Sequence, residues 1–305
     1  MMVKQVRCIV RGVTDVRQPL PDVSIRQLEY LVAVAEEPTW SMAAARVGVS
    51  ASALSQGLAE LERRLGVALF ERDGRRRPVR AEAAAVVAHA RQVLALTGDL
   101  SQWAERVRTG RSGRLRLGMI DAAAVVHYPE VLRGFRADRP DVDLLLRVAP
   151  SAALLELLAG GELDIVVCVE PPAAVAGIAT ERLALEDLAV YSPPGVTIEQ
   201  PARWGPWVLF PSGSHTRSVV EQVLRHAGAP IEVVAESHQP EVLREMVRLG
   251  AGWTVLPVSQ AEHGDRPLAP GRPITTRHLV IATRSGSVHD PAVDEFAADL
   301  RQASV

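Results

Sequence analysis

From residue 114 onward the sequence changes its period, and that change narrows the fold more than any other feature. RLRLGMI, VDLLLRV and LDIVVCV are short apolar runs of strand length, and helix-like stretches at 128–136 and 152–158 separate them. A β-α-β-α-β alternation indicates a parallel sheet with helices on both faces. A second series follows: EDLAVYS, WVLF, a helix over 216–227, EVVAE, a helix over 241–249 and GWTVLP. HLVIATR and a helix over 291–302 then return to the first unit. The expectation is a two-lobed binder with a cleft between its lobes. Lobe one takes 113–170 and 265–305, lobe two takes 171–264, and the whole domain spans 113–305.

At 305 residues the chain exceeds one ordinary core and suits two or three domains. No apolar run is long enough to span a membrane. Residues 1–23 carry scattered charges, Gly12, Pro19 and Pro21, which suits a loose extension rather than a signal peptide, so a cytoplasmic protein is expected. Cys8 and Cys168 stand alone, without a CxxC or Cys/His cluster, so inert thiols and no metal or cofactor are expected. Charge is uneven. Residues 1–80 hold 13 basic against 9 acidic side chains, and the remainder 21 against 27. Seven of those arginines fall between Arg63 and Arg80. One basic end on an acidic body is the footprint of a nucleic-acid-binding module.

The basic end has its own pattern, assigned to 24–80. Leu28, Leu31, Val32 and Ala35 recur at helical spacing after Ser24, a short alanine-rich helix follows, and Gly48 breaks it. Ser50 caps a third helix with Leu54, Leu58, Leu61 and Leu65 as its buried stripe, closed by Gly66. VALFER and the following arginine-rich stretch form two short strands around Asp73-Gly74. This is a winged helix-turn-helix. Ser50, Ser52, Ser55 and Gln56 stand where side chains reach base edges in a major groove. Arg72, Arg75, Arg76 and Arg77 of the wing would neutralise phosphates or enter the minor groove. The bland alternative, a solvated arginine turn beside a helical hairpin, leaves the ordered combination unexplained.

A proline-free helix over 81–109 joins the halves, within a linker assigned to 81–112. Val86, Ala90, Val93, Thr97, Leu100, Ala104 and Val107 alternate steps of four and three, a heptad seam. We read Val86, Ala90, Val93, Leu100 and Val107 as a dimer contact rather than as burial on the chain's own domain.

The combined motifs resemble the LysR-type transcriptional regulators over residues 24–304. The resembling segments are RQLEYLVAVAEE and AAARVGVSASALSQGLAELERRLGVALFER, then GRLRLG, FRADRPDVDLLLRV, LLAGGELDIVV and EVLREMVRLGAG with WTVLP. The resemblance implies a winged helix-turn-helix, a dimerising linker helix and an effector domain of periplasmic-binding type. It also implies a double-stranded operator, a small-molecule effector, assembly from homodimer to homotetramer, and RNA polymerase as a further partner. Departures stand at Ala51, at Gln56-Gly57 where the family commonly has Arg-Gln, at Arg80-Ala81-Glu82-Ala83, and at Asp121 followed by three alanines.

No HExxH, GxSxG, Walker or GxGxxG pattern stands in a matching context. A hydrolase on Ser212 and His215 would lack a third group and an oxyanion hole, and a solute-binding protein would need an export signal. A regulator accounts for both halves. For the effector, PSGSHTR (211–217) opens a helix with Ser212, Ser214, His215 and Thr216, which favours an anion. Ser151 would face it from lobe one, and His238 follows a strand end where the lobes are expected to cross. These serines could equally serve only as helix caps. The expected effector is a small anionic metabolite with an apolar portion.

Overall fold

Ser24, Thr39 and Ser50 start three successive helices by the same means. Ser24 accepts the Gln27 N–H at 3.2 Å while the Gln27 side chain accepts the Ser24 N–H at 3.0 Å, a reciprocal cap on α1 (Ile25–Glu36). Thr39 accepts from Met42 at the start of α2 (Trp40–Arg46), and Ser50 from Ala53 at the start of α3 (Ala51–Leu65). Gly48 at φ +69° turns the chain between α2 and α3, and Gly66 at φ +70° ends α3. Leu54, Leu58 and Leu61 are buried as expected, whereas Leu65 is only half-buried. The computed structural model describes residues 21–71, 78–109 and 113–304, in two compact units, Met1–Val87 and Ala88–Val305.

The wing's base is pinned to α3. Glu62 Oε1 accepts the N–H groups of Leu69 at 2.7 Å and Phe70 at 3.3 Å, and Phe70 pairs with Val79 across the hairpin. Trp40 packs edge-on against Phe70 with ring centroids 5.0 Å apart. Arg72, Arg75, Arg76 and Arg77, like Cys8, lie outside the described residues. Gly57 has a packing reason. A Cβ there would stand 2.8 Å from two ring carbons of Tyr30, so the departure from the family pair makes room for the α1–α3 contact.

A short 3-10 turn, Ala81–Ala83, leads into α4 (Ala84–Thr109). Within the second unit, the face of α4 at Gln92, Ala95 and Asp99 packs on its own domain. Gln92 donates to the Ala176 carbonyl at 2.6 Å, Ala95 approaches Gly161 so closely that a Cβ on Gly161 would stand 2.9 Å from its methyl, and Asp99 pairs with buried Arg284 at 2.6 Å. Own-domain burial therefore holds for this face. It is not the expected seam: Leu100 and Val107 are exposed, Val86 and Val93 half-buried, and Ala90 buried.

In the second unit β1 (Arg114–Met119) pairs in parallel with β2 (Asp143–Val148) and β3 (Ile165–Val169). Helices α5 (Pro129–Asp138), α6 (Ser151–Ala159) and α10 (Pro291–Ala303) complete lobe one. Its core includes Leu117, Met119, Leu154, Val167 and Phe296, the last edge-on to Phe135 at 5.1 Å. Lobe two holds β5 (Trp207–Leu209), α7 (His215–His226), β6 (Val233–Glu236), α8 (Pro240–Arg248), β7 (Thr254–Pro257) and α9 (Val258–Ala261). Its core is built on Trp204, Trp207 and Trp253 with Leu209 and Leu224.

Two strands differ from the sequence expectation. The short runs EDLAVYS and HLVIATR are parts of β4 (Ile178–Tyr191) and β8 (Arg272–Arg284), long antiparallel partners that run through both lobes. At one end β8 pairs with β3 of lobe one, and at the other end β4 pairs with β7 of lobe two. The lobe boundaries therefore fall inside these strands rather than at 170/171 and 264/265. The crossing is here, not at residues 236–239. The sheet is mixed rather than wholly parallel for the same reason.

Phe296 is fully buried in lobe one. Replacing it with Ala should cost about 3–5 kcal/mol, the usual loss for a buried phenylalanine. Denaturant titration followed by circular dichroism measures this, and a change below about 1 kcal/mol would contradict the packing described.

Candidate functional site

Between the lobes lies a cavity of about 380 Å³. Lobe one lines it with Ile120, Asp121, Ala122, residues 148–151 and Val169, and lobe two with Phe210, Ser214, Thr216, residues 238–241 and Gln260. Of the residues singled out in the sequence, Ser151, Ser214, Thr216 and His238 come together here, whereas Ser212 and His215 are not among the lining residues. The His215 ring instead places Nδ1 3.1 Å from the Val169 carbonyl oxygen.

Ser151 opens α6 and is buried, its Oγ accepting the Val169 N–H at 3.2 Å. Among the described residues its own proton has no acceptor, so it stays available to a ligand. The first turns of α6, α7 and α8 all reach the cavity, and the first amides of α6 and α7 have no intrahelical acceptor, whereas at α8 Pro240 has no N–H and the Gln239 N–H bonds Ser237 Oγ at 3.1 Å. Ser214 and Gln239, at the N-caps of α7 and α8, make no side-chain cap.

Thr216 has a second role that the sequence did not disclose. Its Oγ1 accepts from Arg277 Nη1 at 2.6 Å, and the same guanidinium grips Glu186 Oε2 through Nε at 2.7 Å and Nη2 at 2.6 Å. Glu186 Oε1 accepts from Ser259 at 2.9 Å and His127 Nε2 at 2.6 Å. Glu186 and Arg277 face each other across β4 and β8, His127 ends a wide helical turn of lobe one (Ala123–His127), and Thr216 and Ser259 belong to lobe two. Burial works against the Glu186 charge, but Arg277 and His127 more than offset it and hold the carboxyl at about 2. The signal in the sequence was an acid inside an apolar strand pattern, its partner 91 residues away.

Asp121 and Glu241 bring acidic charge to the cavity from opposite lobes. Burial raises the Asp121 carboxyl, Glu241 raises it further, and a 3.1 Å bond from Gln260 Nε2 works in the opposite direction. Cys168 is buried in β3, and burial pushes its thiol up to about 12. Among the described residues no group of three or more His, Cys, Asp or Glu could hold a metal ion, and no helix is long and apolar enough to cross a membrane.

A winged helix-turn-helix unit and a two-lobed unit with a ligand-sized cleft define a ligand-responsive DNA-binding regulator. The family described as "LysR substrate binding domain" matches residues 108–304, and "Bacterial regulatory helix-turn-helix protein, lysR family" matches residues 25–85. The chain belongs to the LysR family of transcriptional regulators. A curated relative, "Probable hydrogen peroxide-inducible genes activator" of Streptomyces viridosporus, is 32% identical, covering 94% of this chain and 95% of the relative. Full-length OxyR from Pseudomonas aeruginosa, a point variant, is similar at TM-score 0.61 and 24% identity, covering 92% of this chain and 94% of that one. Full-length CbnR, solved with its target DNA, is similar at TM-score 0.58 and 23% identity, covering 92% of this chain and all (100%) of that one.

Glu186 lies below the ordinary carboxylate value of 4.5, so its contribution is complete above that value and is lost as pH falls toward 2. Glu186→Gln leaves Arg277 buried without a counter-charge and should destabilise the effector unit by about 3–5 kcal/mol at neutral pH. The gap to the wild type should narrow as the pH drops below 4.5, because the wild type then loses the same charge. Denaturant titrations across that range measure it. An equal gap at neutral and low pH would contradict the assignment.

Proposed function

We propose that the protein binds an operator as a dimer or tetramer through its winged helix-turn-helix and responds to a small carboxylate-bearing metabolite in the inter-lobe cleft. The observation that carries this reading is the pairing, in one chain, of a recognition helix with exposed polar residues and a cleft lined by three helix N-termini. Ser50 at the N-cap of α3 and Ser52 and Gln56 within it are exposed, and Ser55 is half-buried. Ser50 and Ser52 lie 2.9 Å apart at Oγ, so part of their hydrogen-bonding capacity is spent on each other. Gln56, exposed four residues beyond Ser52, becomes the leading base reader. The wing arginines supply phosphate contacts. The partly exposed seam from Val93 to Val107, with Trp103 also exposed, suits a second copy of the chain.

For the ligand, Ser151, Ser214 and Thr216 with the amides of α6 and α7 favour a carboxylate, and the alanine at 122 leaves space for an apolar portion. Closure over the ligand would act on DNA binding through its different affinity for open and closed lobes. Such a regulator works beside the chromosome, in the cytoplasm, meets RNA polymerase there and catalyses no reaction. Although the Streptomyces relative's name refers to hydrogen peroxide, Cys168 does not suit thiol-based sensing: it is buried, and at neutral pH almost none of it is the reactive thiolate.

The test is a gel shift with full-length protein on DNA flanking its own gene. Binding is expected, and absence of binding with and without cell metabolites would contradict the reading. Gln56→Ala should change which operators are preferred, by about 1–3 kcal/mol at the base it reads. Arg76→Ala should weaken all sequences alike and lower the salt slope of log K by roughly one. Leu100→Glu, a carboxylate in the seam, should dissociate the dimer in sedimentation, and an intact dimer would rule that seam out.

A further inference from the structure

The cleft wall holds more hydrogen-bond acceptors than donors on one side. Asp121 Oδ2 takes a bond from Gln260 Nε2 at 3.1 Å. Among the described residues, Asp121 Oδ1, the Glu241 carboxylate and Gln260 Oε1 receive none. Gln260 is itself only 7% exposed, and its amide is held beside Asp121 by that bond, with Oε1 left to accept from a ligand. Asp121 belongs to lobe one and Glu241 and Gln260 to lobe two, so these acceptors face a shared space across the cleft. The sole permanent cation among the described lining residues is Arg277, and three of its nitrogens already bind Glu186 and Thr216. A purely anionic ligand would meet two carboxylates with no free cation to offset them.

Resting on the cleft as the effector site, we propose that the effector is an amino acid in zwitterionic form, its ammonium held by Asp121, Glu241 and Gln260 Oε1 and its carboxylate at the N-termini of α6 and α7. An ammonium carries three N–H donors and no acceptor, which matches three acceptors without donors. The hydroxyl of Ser151, buried and with its proton uncommitted, donates to the carboxylate. The charge arrangement also supplies the switch. Asp121 and Glu241 repel each other across the cleft, and a cation between them turns that repulsion into attraction from both lobes. The ligand thereby favours the closed state over the open one, which is what a differential affinity requires.

Calorimetry on the full-length protein tests this with three matched probe sets: the common amino acids, their des-amino carboxylates and their decarboxylated amines. The expected result is an amino acid that binds the wild type and binds Asp121→Asn and Glu241→Gln roughly ten- to a hundredfold more weakly, the loss that follows removal of a charged hydrogen-bond partner. Its des-amino analogue should be weakened as much. Val148→Trp, at an exposed position in the cavity lining, should abolish binding by filling the cleft. A des-amino carboxylate that binds as tightly as its parent, or an amino acid indifferent to Asp121→Asn, overturns the ammonium site while the cleft reading stands if Val148→Trp still blocks it. Binding unchanged by Val148→Trp overturns the cleft reading as well. Failure of every amino acid to bind also overturns the proposal.

Discussion

Glu186 and Arg277 form the ion pair on which the effector domain depends. Two charges buried across neighbouring strands are costly to desolvate, and such a pair persists only where geometry and further hydrogen bonds compensate. Here they do. Arg277 grips the carboxylate with two nitrogens and gives a third to Thr216, while the carboxylate's other oxygen takes bonds from His127 and Ser259. The pair sits where β4 and β8 pass between lobes, so its partners come from both. A polar network of this kind tolerates few alternative arrangements, because any unpaired member is left in a dry interior. The crossing beside the cleft is therefore held in one register.

Much of this fold was legible because local rules and tertiary packing agree. Ser24, Ser50 and Gly66 act as the sequence predicts, and the leucines of α3 face inward with the exception of Leu65, near the helix end. The alternation of apolar runs and helices pointed to a two-lobed α/β domain, though not to where one lobe passes into the other. It could not disclose that EDLAVYS and HLVIATR belong to long strands. The added residues of β4, at 178–185, alternate polar and apolar side chains weakly, and their order comes from pairing with β8 almost a hundred residues away.

The candidate site was legible only in part, for a related reason. Hydroxyls at helix starts mark themselves by local pattern, and Ser151, Ser214 and Thr216 do reach the cleft. His215 did not, because its ring turns to the Val169 carbonyl. Glu186, Arg277 and His127 carry no local signature, since each looks like an ordinary charge until the sheet register brings it to its partner. The linker shows the same limit. A heptad could be read from spacing, but the separate face at Gln92, Ala95 and Asp99 depends on where Gly161, Ala176 and Arg284 lie in the folded domain.

If the Glu186–Arg277 crossing unites the two lobes, disturbing it should be felt on both sides of the cleft. Hydrogen–deuterium exchange on the full-length protein, comparing the wild type with Glu186→Gln, measures that most directly. The account predicts faster exchange both at residues 123–132 of lobe one and at residues 216–220 and 258–261 of lobe two, which carry the side chains bound to the pair. Faster exchange confined to β4 and β8, with both lobes as protected as in the wild type, would contradict it.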